Sequence, residues 1–175
     1  MRASELPSAE RLHELFRYDD GWLYRKVGVS GGARAGSRAG SLSSRGYFRL
    51  RVDGENFLAH RLIFTMHHGV IPAEMNIDHI DGNPGNNKIE NLRLATRAEN
   101  RWNRRGVPAG SRSGVLGVSS YKNGWHVRVR VNGRQVGRWF KSRIVATIYA
   151  DLIRHKYHSP FYTSDRTPGL AELLA

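Results

Sequence analysis

Four dipeptides constrain this chain more than any other feature: Asp20-Gly21, Asp53-Gly54, Asn123-Gly124 and Asn132-Gly133, each set between β-type runs. Tight hairpin turns need positive φ at their central positions, and Asp, Asn and Gly adopt it at low cost. The spacing predicts short antiparallel hairpins: two strands within 14–26, a second pair within 46–60, and three strands at 115–121, 125–132 and 135–140. Helical spacing lies between and after them. Residues 1–13 read as a short helix or a tether. Residues 60–68 carry apolar spacing that stops at Gly69, with Pro72 beyond. Thr96 and Glu99 form a T-x-x-E capping box, which makes Thr96 the expected N-cap and puts Asn100 and Asn103 in the first two turns. Ser142 is the expected N-cap of a helix running to about residue 157. Its expected buried face is Ile144, Ile148 and Leu152 with Val145, Tyr149 and Ile153. The fold class is expected to be α+β.

Composition narrows the chemistry. The chain has 175 residues and no cysteine. That excludes a disulfide framework, a thiol nucleophile, an iron–sulfur cluster and a structural zinc held by cysteine pairs. No apolar run is long enough to span a membrane, and the first residues lack the apolar core of a secretory signal, so a cytoplasmic protein is expected. The formal net charge is +13, from 28 Lys+Arg against 15 Asp+Glu. Of these cations 23 are Arg and 5 are Lys. The planar guanidinium matches phosphate and guanine edges, which favours a nucleic acid over a lipid surface.

The charge is uneven. Residues 111–158 hold ten basic residues against Asp151, whereas residues 74–90 hold four acids and Lys88. An acidic pocket inside a polyanion-binding chain suits a metal ion. Here the residues run Asp78-His79-Ile80-Asp81-Gly82-Asn83, then Asn86-Asn87, Asn91 and Asn100. Phosphodiester hydrolysis needs a base near the phosphorus and a hard cation on the phosphate oxygens. Asp78 and Asn100 offer hard oxygen ligands for Mg²⁺ or Mn²⁺. His79 is placed on a strand beside Asp78, and Asn91, on the second strand of 76–80 and 89–94, offers an acceptor carbonyl that would orient its ring. Several neighbours have plainer expectations. Asp81-Gly82-Asn83 is expected to form a turn, Asn86 and Asn87 to be loop and cap residues, and His60 to be a buried histidine between strand and helix. His67 and His68 would end a helix, and Asn103 competes with Asn100 as a ligand.

The segment 60–103, with His60-Arg61-Leu62, Asp78-His79-x-Asp81-Gly82-Asn83, Asn86-Asn87, Glu90-Asn91-Leu92-Arg93 and Thr96-x-x-x-Asn100, resembles the HNH endonuclease family of phage and intron homing type. The resemblance implies a ββα-metal finger in which His79 is the general base, Asn91 positions its imidazole, and Asp78 and Asn100 bind one divalent metal. Residues 113–160, with Gly117-Val118, Gly124-Trp125, a Trp-x-Val-x-Val strand and Phe140, resemble the apetala-two DNA-binding domain. That resemblance implies a three-stranded sheet that meets duplex DNA, backed by one helix. Alternation puts Trp125, Val127, Val129 and Val131 on one face and His126, Arg128 and Arg130 on the other. Arg134 and Arg138 are expected to extend the basic face, with Tyr121, Arg101 and Arg104 as further contacts.

The expected organisation is a nuclease domain over 1–105 with its core at 76–104, a linker at 106–112, a DNA-binding domain at 113–163 and a tail at 164–175. The expected activity is metal-dependent cleavage of double-stranded DNA by a monomer or dimer, in a bacterial host cell if the chain is phage-encoded. Two rivals are a non-catalytic DNA-binding regulator with a decayed nuclease fold and a ribonuclease.

Overall fold

A computed structural model describes residues 5–29, 32–103, 107 and 110–162. The chain packs as two units, Met1–Ala98 and Glu99–Ala175. Both are α+β, with small antiparallel sheets.

The first unit opens with α1 (Ala9–Leu15), capped by Ser8, whose side chain accepts from the Arg11 amide at 3.2 Å. Two hairpins follow. In one, β1 (Phe16–Asp19) pairs with β2 (Trp22–Arg25) around Asp20 and Gly21 at φ 43° and 88°. In the other, β4 (Phe48–Val52) pairs with β5 (Glu55–Leu58) around Asp53 and Gly54 at φ 47° and 88°. The short β3 (Ser41–Leu42) adds to β4. Next come α2 (Ala59–His68), ended by Gly69, then β6 (Asn76–His79) paired with β7 (Leu92–Ala95). Between β2 and β3 the chain is held by its neighbours: Ala39 enters the core and Arg38 bridges to Tyr24. Leu12, Phe16, Leu23, Leu50, Val52, Leu62, Ile63, Ile77 and Leu92 form one core, so both hairpins and α2 hold β6 in place.

The helix α3 (Arg97–Trp102) starts directly after Thr96, where the capping box predicts it. The boundary between the units falls inside it, and Asn100 and Arg101 are exposed residues of the second unit. Asn103 lies just past the helix end and is buried. Arg104, residues 106, 108 and 109 of the expected linker, and the tail lie outside the described residues.

In the second unit β8 (Val118–Tyr121), β9 (Gly124–Val131) and β10 (Arg134–Phe140) form the sheet, and α4 (Arg143–His158) covers one face. Ser142 caps α4 as expected, accepting from the Val145 amide. Two expectations fail here. The first turn is Lys122-Asn123, not Asn123-Gly124, and Gly124 is the buried first residue of β9. A Cβ at Gly124 would lie 2.4 Å from the Trp139 ring and 2.5 Å from the Phe140 carbonyl. Its glycine is required by packing, not by the turn. The second failure is most of the buried face of α4, where only Tyr149 and Ile153 pack against the core as expected. Ile144, Val145, Ile148 and Leu152 are exposed, while Ala146, Thr147, Ala150, Arg154 and His158 are buried. The small Ala146 and Ala150 let the helix sit close on Val127, Val129 and Val131. Two polar residues can join that face because backbone carbonyls satisfy them. Arg154 donates to the Leu116 carbonyl, and His158 Nε2 donates to the Arg130 carbonyl at 2.9 Å.

Candidate functional site

His79 ends β6 and is 5% exposed. Four side chains that the sequence pattern did not assign to the site surround it or its neighbour. His60, the second residue of α2, lies edge-on to it, with ring centroids 4.9 Å apart. Tyr47 sits 5.5 Å from the His60 ring and 6.1 Å from that of His79. Asn87, 2% exposed, presents Oδ1 to His79 Nε2 at 3.0 Å. Arg93, on β7 directly opposite Asp78, donates to Asp78 Oδ2 from Nε at 3.0 Å and Nη2 at 2.9 Å. His60 was expected as a buried histidine, and it is one; its contact with His79 was not foreseen. Burial, aided by His79 and Arg61, pushes the His60 pKa down to about 3, so this ring is neutral at ordinary pH.

The Asn87 contact bears on the orientation of the imidazole. An amide oxygen accepts from an N–H, so the contact matches a ring with its proton on Nε2. The contact depends on the first hairpin. Gly21 lies under the Asn87–Lys88 backbone, where a Cβ would come 2.9 Å from the Lys88 nitrogen. Lys88 Nζ pairs with Asp20 at 2.7 Å, and the Ile89 amide donates to the Tyr18 hydroxyl at 3.0 Å. The turn of β1–β2 thus sets the loop that holds the histidine.

Asn91 has a different place from the one expected. It lies in a 3₁₀ turn, Ile89–Asn91, not on the second strand. Its Oδ1 accepts from the Asp81 amide at 2.9 Å, and its Nδ2 donates to Asp81 Oδ1 and to the Asn86 carbonyl at 3.0 and 2.8 Å. Its main-chain carbonyl accepts from the Ile80 amide at 2.8 Å. These bonds tie the loop from Asp81 to Asn86 across its base, and the amide that meets His79 is Asn87. The loop reverses direction without a strand partner, so turns and side chains satisfy its amides, and Asn91 serves at its neck with both a donor and an acceptor. Asp81-Gly82-Asn83 forms the expected turn, with Gly82 at φ 67° and the Asn83 amide on Asp81 Oδ1 at 2.8 Å.

Asp78, 5% exposed, has its carboxylate oriented by Arg93. A carboxylate is a hard donor that suits a small divalent cation, so Asp78 fits the implied metal by chemistry, while Asn100 offers an exposed amide oxygen in the second unit. Among the described residues no group of three or more His, Cys, Asp or Glu could hold a metal ion.

In the second unit, the face of the sheet away from α4 carries His126, Arg128 and Arg130 on β9. Across from them stand Ser119 on β8 and Trp139, Gly137 and Gln135 on β10. Tyr121, Lys122, Asn123, His126, Arg128 and Trp139 line an open cavity of about 540 Å³. Trp139 was missed, although its register opposite His126 follows from alternation about the Asn132-Gly133 turn. Arg134 and Arg138 do not extend this face. They stand opposite Val131 and Val127, on the helix side of the sheet. The Arg138 guanidinium lies 5.7 Å from the Phe140 ring and 5.8 Å from that of Tyr149.

A family model described as HNH endonuclease matches residues 57–102. The chain is 39% identical over 108 residues to Protein 3.8 of Escherichia phage T7, covering 58% of this chain and 85% of that one. It is 39% identical over 75 residues to a protein of Acanthamoeba polyphaga mimivirus named as an uncharacterized HNH endonuclease, covering 42% of this chain and 38% of the relative. No solved structure matches the chain.

Proposed function

From the HNH endonuclease domain that the chain carries at residues 57–102, we propose that it is a metal-dependent DNA endonuclease with His79 as its general base. The observation that carries this reading is the buried imidazole whose Nε2 is held by Asn87, on the strand that also carries the Arg93-oriented Asp78. A base with a fixed tautomer is what proton abstraction from water requires. His79 Nδ1 takes the proton of the attacking water. His60 and Tyr47 keep the ring from rotating, and Asn91 holds the loop that carries Asn87.

Asp78 and Asn100 would hold one divalent cation, Mg²⁺ or Mn²⁺. When bound, it would supply stabilisation of charge on the phosphate and on the leaving 3′ oxygen. The products are a 5′-phosphate and a 3′-hydroxyl. Residues 113–160 act as the DNA-anchoring domain, reading duplex DNA through Arg128, Arg130, His126, Tyr121 and Trp139. Arg101, exposed on α3, adds a phosphate contact. Cleavage of this kind would serve the homing role that the family resemblance implies.

The test is incubation with supercoiled plasmid in Mg²⁺, Mn²⁺ or EDTA. Relaxed or linear product in metal and none in EDTA supports the reading. Tight DNA binding with no cleavage in any metal makes the chain a DNA-binding regulator instead.

A further inference from the structure

The first unit holds a second cationic feature that the chemistry at His79 leaves unused. A cavity of about 520 Å³ is lined by Arg25, Arg38, Arg49 and Arg51, with Ser41 and Asn56 at its rim. It forms for simple reasons. On β4, Leu50 and Val52 enter the core, so alternation turns Arg49 and Arg51 outward. β2 ends at Arg25, and the returning chain crosses it: the Arg25 amide donates to the Ser37 carbonyl at 2.9 Å and the Gly36 amide to the Arg25 carbonyl at 2.8 Å. That crossing brings in Arg38, whose guanidinium lies 4.2 Å over the Trp22 ring.

Four arginines line one cavity, where their like charges repel; Arg51 also donates from Nε to the Gly54 carbonyl at 2.9 Å. The ion pairs of the described residues go to Arg11, Arg17, Lys88 and Arg93, and none to these four. An anion in the cavity would offset that repulsion.

We propose that Arg25, Arg38, Arg49 and Arg51 form a phosphate-binding site for the backbone of duplex DNA beside the position of cleavage. The site rests on the reading that the substrate is DNA, and its position beside the cut rests in addition on His79 as the reacting group. Its placement favours a backbone over a free phosphate. The Ser43 amide donates to the Tyr47 carbonyl at 2.8 Å, so the pairing of β3 with β4 continues back to Tyr47, whose ring is 6.1 Å from that of His79. Arg49 and Arg51 follow Tyr47 by two and four residues, about 7 and 13 Å along an extended strand. A DNA strand cut at His79 runs on towards these arginines. The HNH unit thus grips its own substrate, independently of the sheet of the second unit.

The test measures the affinity of the full chain for a short duplex of arbitrary sequence, in EDTA, across a salt series. Arg49→Gln with Arg51→Gln should lower the log–log salt slope by about 0.9 for each phosphate that the variant no longer neutralises. Arg38→Gln, on the crossing loop, should lower it by about 0.9 alone and serves if the strand pair fails to fold. An unchanged slope in a folded variant overturns the proposal. Inorganic phosphate forms the second arm. If phosphate raises the melting temperature of the wild type but not of the variant while the DNA slope stays the same, the site takes free phosphate and the backbone assignment is wrong. Plasmid cleavage by the wild type is scored separately. A chain that cuts nothing but shows a shallower slope in these variants fails as a nuclease and keeps this site.

Discussion

The side chains around His79 and those on the open face of the β8–β10 sheet are handled in opposite ways. His79, His60 and Asn87 are at most 5% exposed and held by rings and hydrogen bonds. Arg128 and Arg130 stand in solvent, with Arg128 reaching the Ser119 hydroxyl at 3.4 Å. A group that must move one proton at one atom gains from a fixed ring and tautomer. A face that must meet a polyanion gains from solvated charges on long stems, because its binding free energy comes largely from counterion release. On the proposed function, the contrast is between a buried group assigned to proton transfer and an exposed, solvated charge assigned to gripping the polyanion.

The sharpest way to break this comparison is His79→Ala. Cleavage should fall by roughly 10²–10⁴-fold with DNA affinity nearly unchanged. Equal loss of binding and cutting would merge the two regions into one function.

Acid should separate them next. With its pKa pushed down to about 3, His60 binds a proton less readily in the folded chain than in the unfolded one. Its contribution to stability is complete above about pH 6.5 and is lost as pH falls from there towards 3, at up to about 1.4 kcal/mol per pH unit. Urea titrations from neutral pH down to pH 4 should show the first unit weakening, and His60→Gln should flatten that dependence. A pH-independent first unit in the wild type would count against a neutral buried His60.

Asn87→Ala should cut activity by about 10- to 100-fold, the range for a side chain that orients a reacting group, with the Michaelis constant little changed. Gly21→Ala should act in the same direction through the displaced Asn87–Lys88 backbone, together with a lower melting temperature. If Asn87→Ala cuts at the wild-type rate, the tautomer is set elsewhere.

On the gripping surface, Arg128→Ala or Arg130→Ala should each reduce the salt slope of DNA binding by about 0.9, and cutting should recover at high protein concentration. The smallest effect is expected from Arg138→Ala. Its guanidinium rests on the helix side of the sheet, so the slope should hardly move. A decrease at Arg138 equal to that at Arg128 would mean that exposure alone, not the face, decides which arginines meet DNA.

What could be read from the sequence follows the range of the physics involved. The Asp53-Gly54 and Asn132-Gly133 turns, the start of α3 after Thr96 and the valine face of β9 depend on φ preferences, caps and alternation. All of these act within a few residues, and all lie where the sequence puts them. The chain by itself also determined that Asp78 and His79 stand together on one short strand. Tertiary structure decided the rest. Tyr47, His60, Asn87 and Arg93 come from separate elements and gather at β6 only because one core joins those elements. Asn87 reads locally as a loop residue, and nothing nearby in the chain reveals that it meets an imidazole. The same limit explains α4. Its apolar row of Ile144, Ile148 and Leu152 is the stronger local signal, yet the sheet accepts the small Ala146 and Ala150 instead. Side-chain hydrophobicity is a property of the residue. Which side of a helix can approach a sheet is a property of the space between them.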